Sequence, residues 1–175
     1  MEHLDILISE EEIKKRVKEL AKEITKNYKG KDLCLICVLK GAIMFMVDLA
    51  KEIDLLLEMD FMAVSSYGNE KTSSGVVKII KDLDEPIEGK HVLIVEDIID
   101  SGRTLSYLVK ILKDRKPASI RICTLLDKPE KRLTDVKVDY VGFTIEDKFV
   151  LGYGLDYMQK YRNIPYIAVM KDEDN

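Results

Sequence analysis

The chain of 175 residues contains no tryptophan and only two histidines, His3 and His91. Two isolated imidazoles give no His-based metal centre. Four prolines and nine glycines are too few for a Pro- or Gly-rich linker or a low-complexity tract. No segment reaches the ~20 apolar residues a membrane-spanning helix needs. The most apolar stretch, Leu33 to Val47, is cut by Lys40-Gly41. The opening MEHLDILISEEE is acidic where a secretory leader carries basic residues. Positive charge is not in excess: 28 Lys and Arg face 32 Asp and Glu, for a net charge of −4. Such a field does not draw in nucleic acid or an anionic membrane. Three cysteines are present, and Cys34 and Cys37 have the spacing of a redox or zinc motif. They lie in an apolar run that reads as a strand, where residues three apart point to opposite faces. They are read as core thiols in a reducing compartment. These features predict a cytoplasmic protein with neither nucleic-acid nor membrane partners.

The chain does have the makings of one core. Apolar residues make up 46% and charged residues 34%, and a chain of this length buries roughly 70% of its unfolded surface. A single domain over 1–175 is the simplest organisation. Ser9-Glu-Glu-Glu12 reads as a capping box, and Ile13, Val17, Leu20 and Ile24 follow at helical spacing up to Lys29-Gly30. Strands are predicted at 33–39, 56–65, 76–81, 91–95, 119–126, 140–145 and 165–170, with helices at 42–52 and 103–114. Strands alternating with helices argue for an α/β fold with a parallel, twisted sheet flanked by helices. The chain ends and the 66–81 hairpin are candidates for a small hood.

The stretch VLIVEDIIDSGRTL, residues 92–105, carries the chemistry. An apolar strand runs into Glu96, Asp97 and Asp100, then into Ser101-Gly102 and the start of a helix at Arg103-Thr104. In open α/β sheets ligands sit beyond the carboxyl ends of the strands. Backbone N–H groups at a helix start, with a glycine allowing close approach, cradle an anion. Asp100 alone would serve as a helix N-cap, but capping does not require three acids. Phosphate in the turn and carboxylates beside it suit a phosphorylated sugar, with ribose hydroxyls or a bridged Mg²⁺ on Glu96 and Asp97. The spacing is neither a P-loop nor a dinucleotide fingerprint.

VLIVEDIIDSGRT resembles the phosphoribosyl-pyrophosphate motif of type I phosphoribosyltransferases. LKG at 39–41, SSYGN at 65–69, LLDKPE at 125–130, VGFTIEDKFVLGYGLDY at 141–157 and YRNIPYIAV at 161–169 resemble the hypoxanthine-guanine branch, in the expected order. The resemblance implies that family's fold with a small hood, and transfer of the phosphoribosyl group of phosphoribosyl pyrophosphate to N9 of hypoxanthine or guanine. It implies Asp100 as general acid/base near purine N7, and the 5′-phosphate on Asp100, Ser101, Gly102, Arg103 and Thr104. Glu96 and Asp97 would bind ribose hydroxyls and Mg²⁺, with Asp156 as a further metal ligand.

Lys40-Gly41 reads by itself as a simple turn, and Arg162 as a surface arginine. The resemblance makes both pyrophosphate contacts, with a cis peptide before Lys40. The 66–75 loop reads as a surface loop, or by resemblance as a lid with Ser66 and Tyr67 at its base, excluding water from an oxocarbenium-like centre. Lys128 reads as a surface lysine and Phe149 as a core residue. By resemblance Lys128 donates to the purine 6-oxo group, Phe149 stacks on the ring, and Val150 and Asp156 offer backbone groups to the base. No role is assigned to Asp127 or Arg132. Family members are commonly homodimers or homotetramers. The competing readings are a relative acting on xanthine, adenine or a pyrimidine, and a regulatory nucleic-acid binder, against which Asp100 and the acidic balance argue.

Overall fold

The computed structural model describes residues 3–66 and 77–171. A six-stranded sheet has the order β4-β3-β2-β5-β6-β7. Its strands are β2 (Leu33–Leu39), β3 (Glu58–Ser66), β4 (Val77–Lys81), β5 (His91–Ile99), β6 (Ser119–Asp127) and β7 (Tyr140–Thr144). All neighbours are parallel except the edge pair β3 and β4. Helices α1 (Glu10–Tyr28) and α2 (Ile43–Glu52) cover one face and α3 (Arg103–Lys113) the other.

The period of two in β2 shows how the sequence builds two cores at once. Leu33, Leu35 and Cys37 pack with Val17, Leu20 and Ile24 of α1 and Phe45, Met46 and Leu49 of α2. Cys34, Ile36 and Val38 pack with Leu105, Leu108 and Leu112 of α3. Cys34 and Cys37 therefore lie on opposite sides of the sheet, and all three cysteines are buried and free. Burial pushes the Cys34 thiol up to about 11 and that of Cys37 to about 12. α1 starts at the capping box: Ser9 Oγ accepts from Glu12 N–H, and Glu12 Oε2 accepts from Ser9 N–H at 2.7 Å.

A second, antiparallel sheet has the order β1-β9-β8, from β1 (Leu4–Ile8), β8 (Val150–Leu151) and β9 (Ile167–Met170). The ends of the chain thus meet in one small sheet together with the 150s. β1 and β8 escape the sequence reading because LDILI is largely exposed and β8 is two residues long. Two expectations need correction. The 77–81 arm is no part of a hood; it pairs with β3 as an antiparallel edge of the main sheet. The predicted strand at 91–95 runs on to Ile99, because Glu96, Ile98 and Ile99 stay in register with Thr124, Leu126 and Asp127 of β6. Glu96 is thus held in the ladder, and Asp97 lies within the same strand. Tyr67 and the rest of the expected lid lie outside the described residues, as does the side chain of Ser66.

No described helix is long and apolar enough to cross a membrane.

Candidate active site

From β2 the chain steps outward to β3 on one side, and from β5 to β6 and β7 on the other. The order reverses between β2 and β5, which opens a crevice beyond their carboxyl ends. Lys40-Gly41 leaves β2 there, and Glu96 and Asp97 stand opposite in β5. The Leu39–Lys40 peptide is cis. Gly41 touches Asp97: a Cβ built on Gly41 would lie 1.7 Å from Asp97 Oδ2.

A loop after β8 closes on this turn. A Cβ on Gly154, whose φ is +98°, would lie 2.0 Å from the Gly41 carbonyl oxygen. Arg162 ties the loop, donating from Nη1 to the Gly154 carbonyl at 2.7 Å, with Nη2 3.4 Å from Asp156 Oδ1. Gly154 N–H in turn donates to the Arg162 carbonyl at 2.9 Å. Tyr153 OH donates to Asp48 Oδ2 of α2, a second tie between the loop and the helix that follows Lys40-Gly41.

The carboxylates are electrostatically poised. Desolvation raises Glu96 well above the ordinary range, and the neighbouring Asp97 charge adds to this. Asp97 is pushed up to about 6, chiefly by burial, against the favourable N–H of Ile98 and the positive field of Arg162. Ile98 N–H donates to Asp97 Oδ1 at 2.7 Å. Among the described residues, no group of three acids, histidines or cysteines converges on one point. Asp156 is engaged instead by Arg162 and by Gln159 N–H at 2.9 Å. Glu96 and Asp97 nevertheless form an all-oxygen donor pair. That chemistry fits Mg²⁺, which is typically held by one or two carboxylates with water and substrate phosphates completing its shell.

Past β5, Asp100 to Gly102 turn into α3. Gly102 adopts φ +78°, a conformation that favours glycine, and Arg103 N–H meets Ser101 Oγ at 3.3 Å. Asp100 is exposed. Lys128, at the end of β6, is buried at 7% exposure, so it is no surface lysine. Its Nζ lies 3.8 Å from Asp100 Oδ1 and 3.8 Å from Asp147 Oδ1. Phe149 is no core residue either, being 61% exposed with its ring edge-on to Tyr157 at 5.8 Å. Val150 beside it is buried in β8, paired with Val169.

The structure thus joins Lys40, Gly41, Asp97 and Arg162 on one side, and Asp100, Lys128 and Asp147 on the other. Sequence reading missed Asp147, Gly154 and the work of Asp127 and Arg132. Gly154 carried a faint signal as the second glycine of GYG. Asp147 carried none, since its partner is distant in the chain.

An open, mostly parallel sheet with acids and a helix-opening turn at its switch point is the architecture of α/β proteins that take phosphorylated ligands. Residues 3–158 match the family model for the phosphoribosyl transferase domain. The chain belongs to the phosphoribosyltransferase family. It is 62% identical over 166 residues to the hypoxanthine-guanine phosphoribosyltransferase of Bacillus subtilis, covering 95% of this chain and 92% of that one. It is 52% identical to the hypoxanthine phosphoribosyltransferase of Escherichia coli K12, covering 99% of this chain and all of that one. A crystal structure of a hypoxanthine phosphoribosyltransferase from Staphylococcus aureus superposes with a TM-score of 0.95 at 50% identity, over 97% of this chain and 93% of that one.

Proposed function

We propose that the protein transfers the 5-phosphoribosyl group from phosphoribosyl pyrophosphate to N9 of hypoxanthine or guanine, giving IMP or GMP and pyrophosphate in purine salvage. The observation that carries this reading is Lys128. It is an ammonium buried at the end of β6, 3.8 Å from the Asp100 carboxylate, where a 6-oxopurine would present both an acceptor and a proton.

The reaction breaks the bond from C1 to pyrophosphate and forms one from C1 to N9. Positive charge develops on the ribose between these events. Holding the partners in line and stabilising charge carry the catalysis. Asp100 to Thr104 bind the 5′-phosphate and anchor the sugar. Lys40, Gly41 and Arg162, together with Ser66 and Tyr67, receive the departing pyrophosphate. Phe149 stacks on the purine, and Val150 and Asp156 present carbonyls to its 2-position. Lys128 donates to the 6-oxo group, and Asp100 takes the proton that the purine loses as N9 bonds. Glu96 and Asp97, with Asp156 on the pyrophosphate side, would hold Mg²⁺, which when bound neutralises charge on phosphoribosyl pyrophosphate. The whole chain acts as one domain with a small hood from its ends, in the cytoplasm, as a homodimer or homotetramer.

A spectrophotometric assay with phosphoribosyl pyrophosphate, Mg²⁺ and each purine in turn tests the reading. Nucleotide formation from hypoxanthine and guanine is expected, abolished by EDTA and restored by Mg²⁺. Full activity in excess chelator removes the metal assignment. No product from either base removes the function.

A further inference from the structure

Three successive carbonyls in the turn after β5 are tethered to one segment, residues 128–134. Lys128 N–H donates to the Ile99 carbonyl at 3.1 Å. Arg132 Nε–H donates to the Asp100 carbonyl at 3.2 Å. Leu133 and Thr134 N–H both donate to the Ser101 carbonyl, at 3.0 and 3.1 Å. In a trans peptide the carbonyl and the following N–H point in opposite directions within one rigid plane. Pulling the carbonyls of 99, 100 and 101 toward this segment aims the N–H groups of Asp100, Ser101 and Gly102 the other way. A row of N–H groups aimed to one side is an anion cradle.

Two of the three tethers are backbone to backbone and survive any substitution except proline. The middle one belongs to a side chain, Arg132. Its guanidinium is ion-paired with Asp127, and the side chains of the pair are only 20% and 15% exposed. Its stem covers the back of the turn: a Cβ on Gly102 would lie 3.0 Å from Arg132 Cδ. Asp127 is the last residue of β6, so the sheet itself sets the guanidinium orientation.

We propose that Arg132, oriented by Asp127, is a positioning residue that aims the peptide between Asp100 and Ser101 so that Ser101 N–H faces the 5′-phosphate of the nucleotide. This deepens the functional reading above and rests on its assignment of the 5′-phosphate to this turn. One peptide carries both the backbone of the proton acceptor and a phosphate donor, so a single tether serves both. A guanidinium suits the task because its fixed fork reaches a carboxylate and a carbonyl together, whereas a lysine ammonium has no such fork.

The test compares two ligands that use different parts of the site. IMP needs the turn, whereas inorganic pyrophosphate with Mg²⁺ needs Lys40, Gly41 and Arg162. Dissociation constants are measured by calorimetry for the parent, Arg132→Gln, Arg132→Lys and Asp127→Asn, each well below its own melting temperature. Arg132→Gln is expected to weaken IMP at least tenfold and pyrophosphate less than threefold. Arg132→Lys is expected to recover only part of the loss, and Asp127→Asn to weaken IMP about fivefold. Adding Asp127→Asn to Arg132→Gln is expected to cost nothing more, because the carboxylate acts through the guanidinium. Equal weakening of both ligands, or IMP binding within twofold of the parent in Arg132→Gln, overturns the proposal. Parent protein that binds inosine as tightly as IMP overturns the phosphate assignment itself, and this proposal with it.

Discussion

Gly41 and Asp97 stand in contact across the mouth of the sheet, one just after β2 and the other within β5, with no room between them for a methyl group. The contact explains why the turn after β2 carries a glycine although no left-handed φ requires one there. The carboxylate occupies the space a side chain would take. Gly154 repeats the device one layer out, against the Gly41 carbonyl. Turn, carboxylate and loop are therefore one packed unit, and a change in any of them displaces the others.

Gly41→Ala tests that unit. The added Cβ falls 1.7 Å from Asp97 Oδ2, so either the turn or the carboxylate must move by more than an ångström. A shift of that size in a positioning element costs on the order of 10²-fold in kcat/KM. Steady-state kinetics on the variant should show this loss with the protein still folded by circular dichroism. Activity within threefold of the parent would mean that Asp97 has no fixed place in the reaction.

Asp100→Asn keeps the turn and removes the proposed proton acceptor. The expected fall in kcat is about 10²–10⁴-fold, the usual worth of a positioned acid or base. IMP affinity should change little, because in the proposed site the phosphate is held by backbone N–H groups and hydroxyls. Turnover within threefold of the parent takes Asp100 out of the mechanism.

Asp97 predicts a pH dependence of stability. Its carboxyl is raised by burial to about 6 in the folded chain, from an ordinary value of 3.8. Between those values the folded state binds more protons than the unfolded one, so this group makes stability fall as pH rises from about 4 to about 6. Above that window the loss is complete and constant, on the order of 1–3 kcal/mol. In chelator, Asp97→Asn should therefore unfold at higher urea than the parent at pH 7.5, and at nearly the same urea at pH 4. A variant less stable than the parent at pH 7.5 contradicts the burial argument.

The main frame of this fold was legible because its signals are local. The capping box at Ser9, the alternation in 33–39 and the acids running into Ser101-Gly102 each act within a few residues. Cys34 and Cys37 were placed on opposite faces by the strand period alone, and the two core clusters separate them as that period requires. What stayed hidden depends on distant partners. The strand predicted at 91–95 does not reach Ile99 until Asp127 is seen beside it in the ladder. Asp147 has no meaning until Lys128 lies 3.8 Å away, and Gly154 only the faint signal of GYG until the Gly41 carbonyl fills the space over it. Arg16 is a further instance. It donates from Nη2 to the Val141 carbonyl at 2.7 Å and from Nε to the Gly142 carbonyl at 2.9 Å, sealing the outer edge of the sheet from a helix more than a hundred residues earlier.

On the proposed function, Lys128 sets the order of substrates. The ammonium is 7% exposed and lies 3.8 Å from each of two carboxylates, Asp100 and Asp147. Those two carboxylates flank the ammonium before any base arrives. Hypoxanthine and guanine bring a 6-oxo acceptor to it. Adenine brings a 6-amino donor, so two donors face each other and both lose water unpaired. A polar mismatch of this kind in a closed site lowers kcat/KM by about 10⁴-fold. At the other end of the base, in the proposed pose, the carbonyls of Val150 and Asp156 would accept from the 2-amino group of guanine and repel the 2-oxo group of xanthine. Hypoxanthine and guanine should therefore be good substrates, xanthine poor, and adenine inactive. Lys128→Met removes the donor and should flatten this order. It should raise KM for hypoxanthine by at least tenfold while changing KM for phosphoribosyl pyrophosphate less than threefold. Adenine as the best substrate of the parent protein would sink the base-pocket assignment and leave the phosphoribosyl half of the site standing. A Lys128→Met variant that kept the parent's ratio of hypoxanthine to adenine would move the specificity elsewhere, with Phe149 and Tyr157, whose rings meet edge-on at 5.8 Å, the next groups to test.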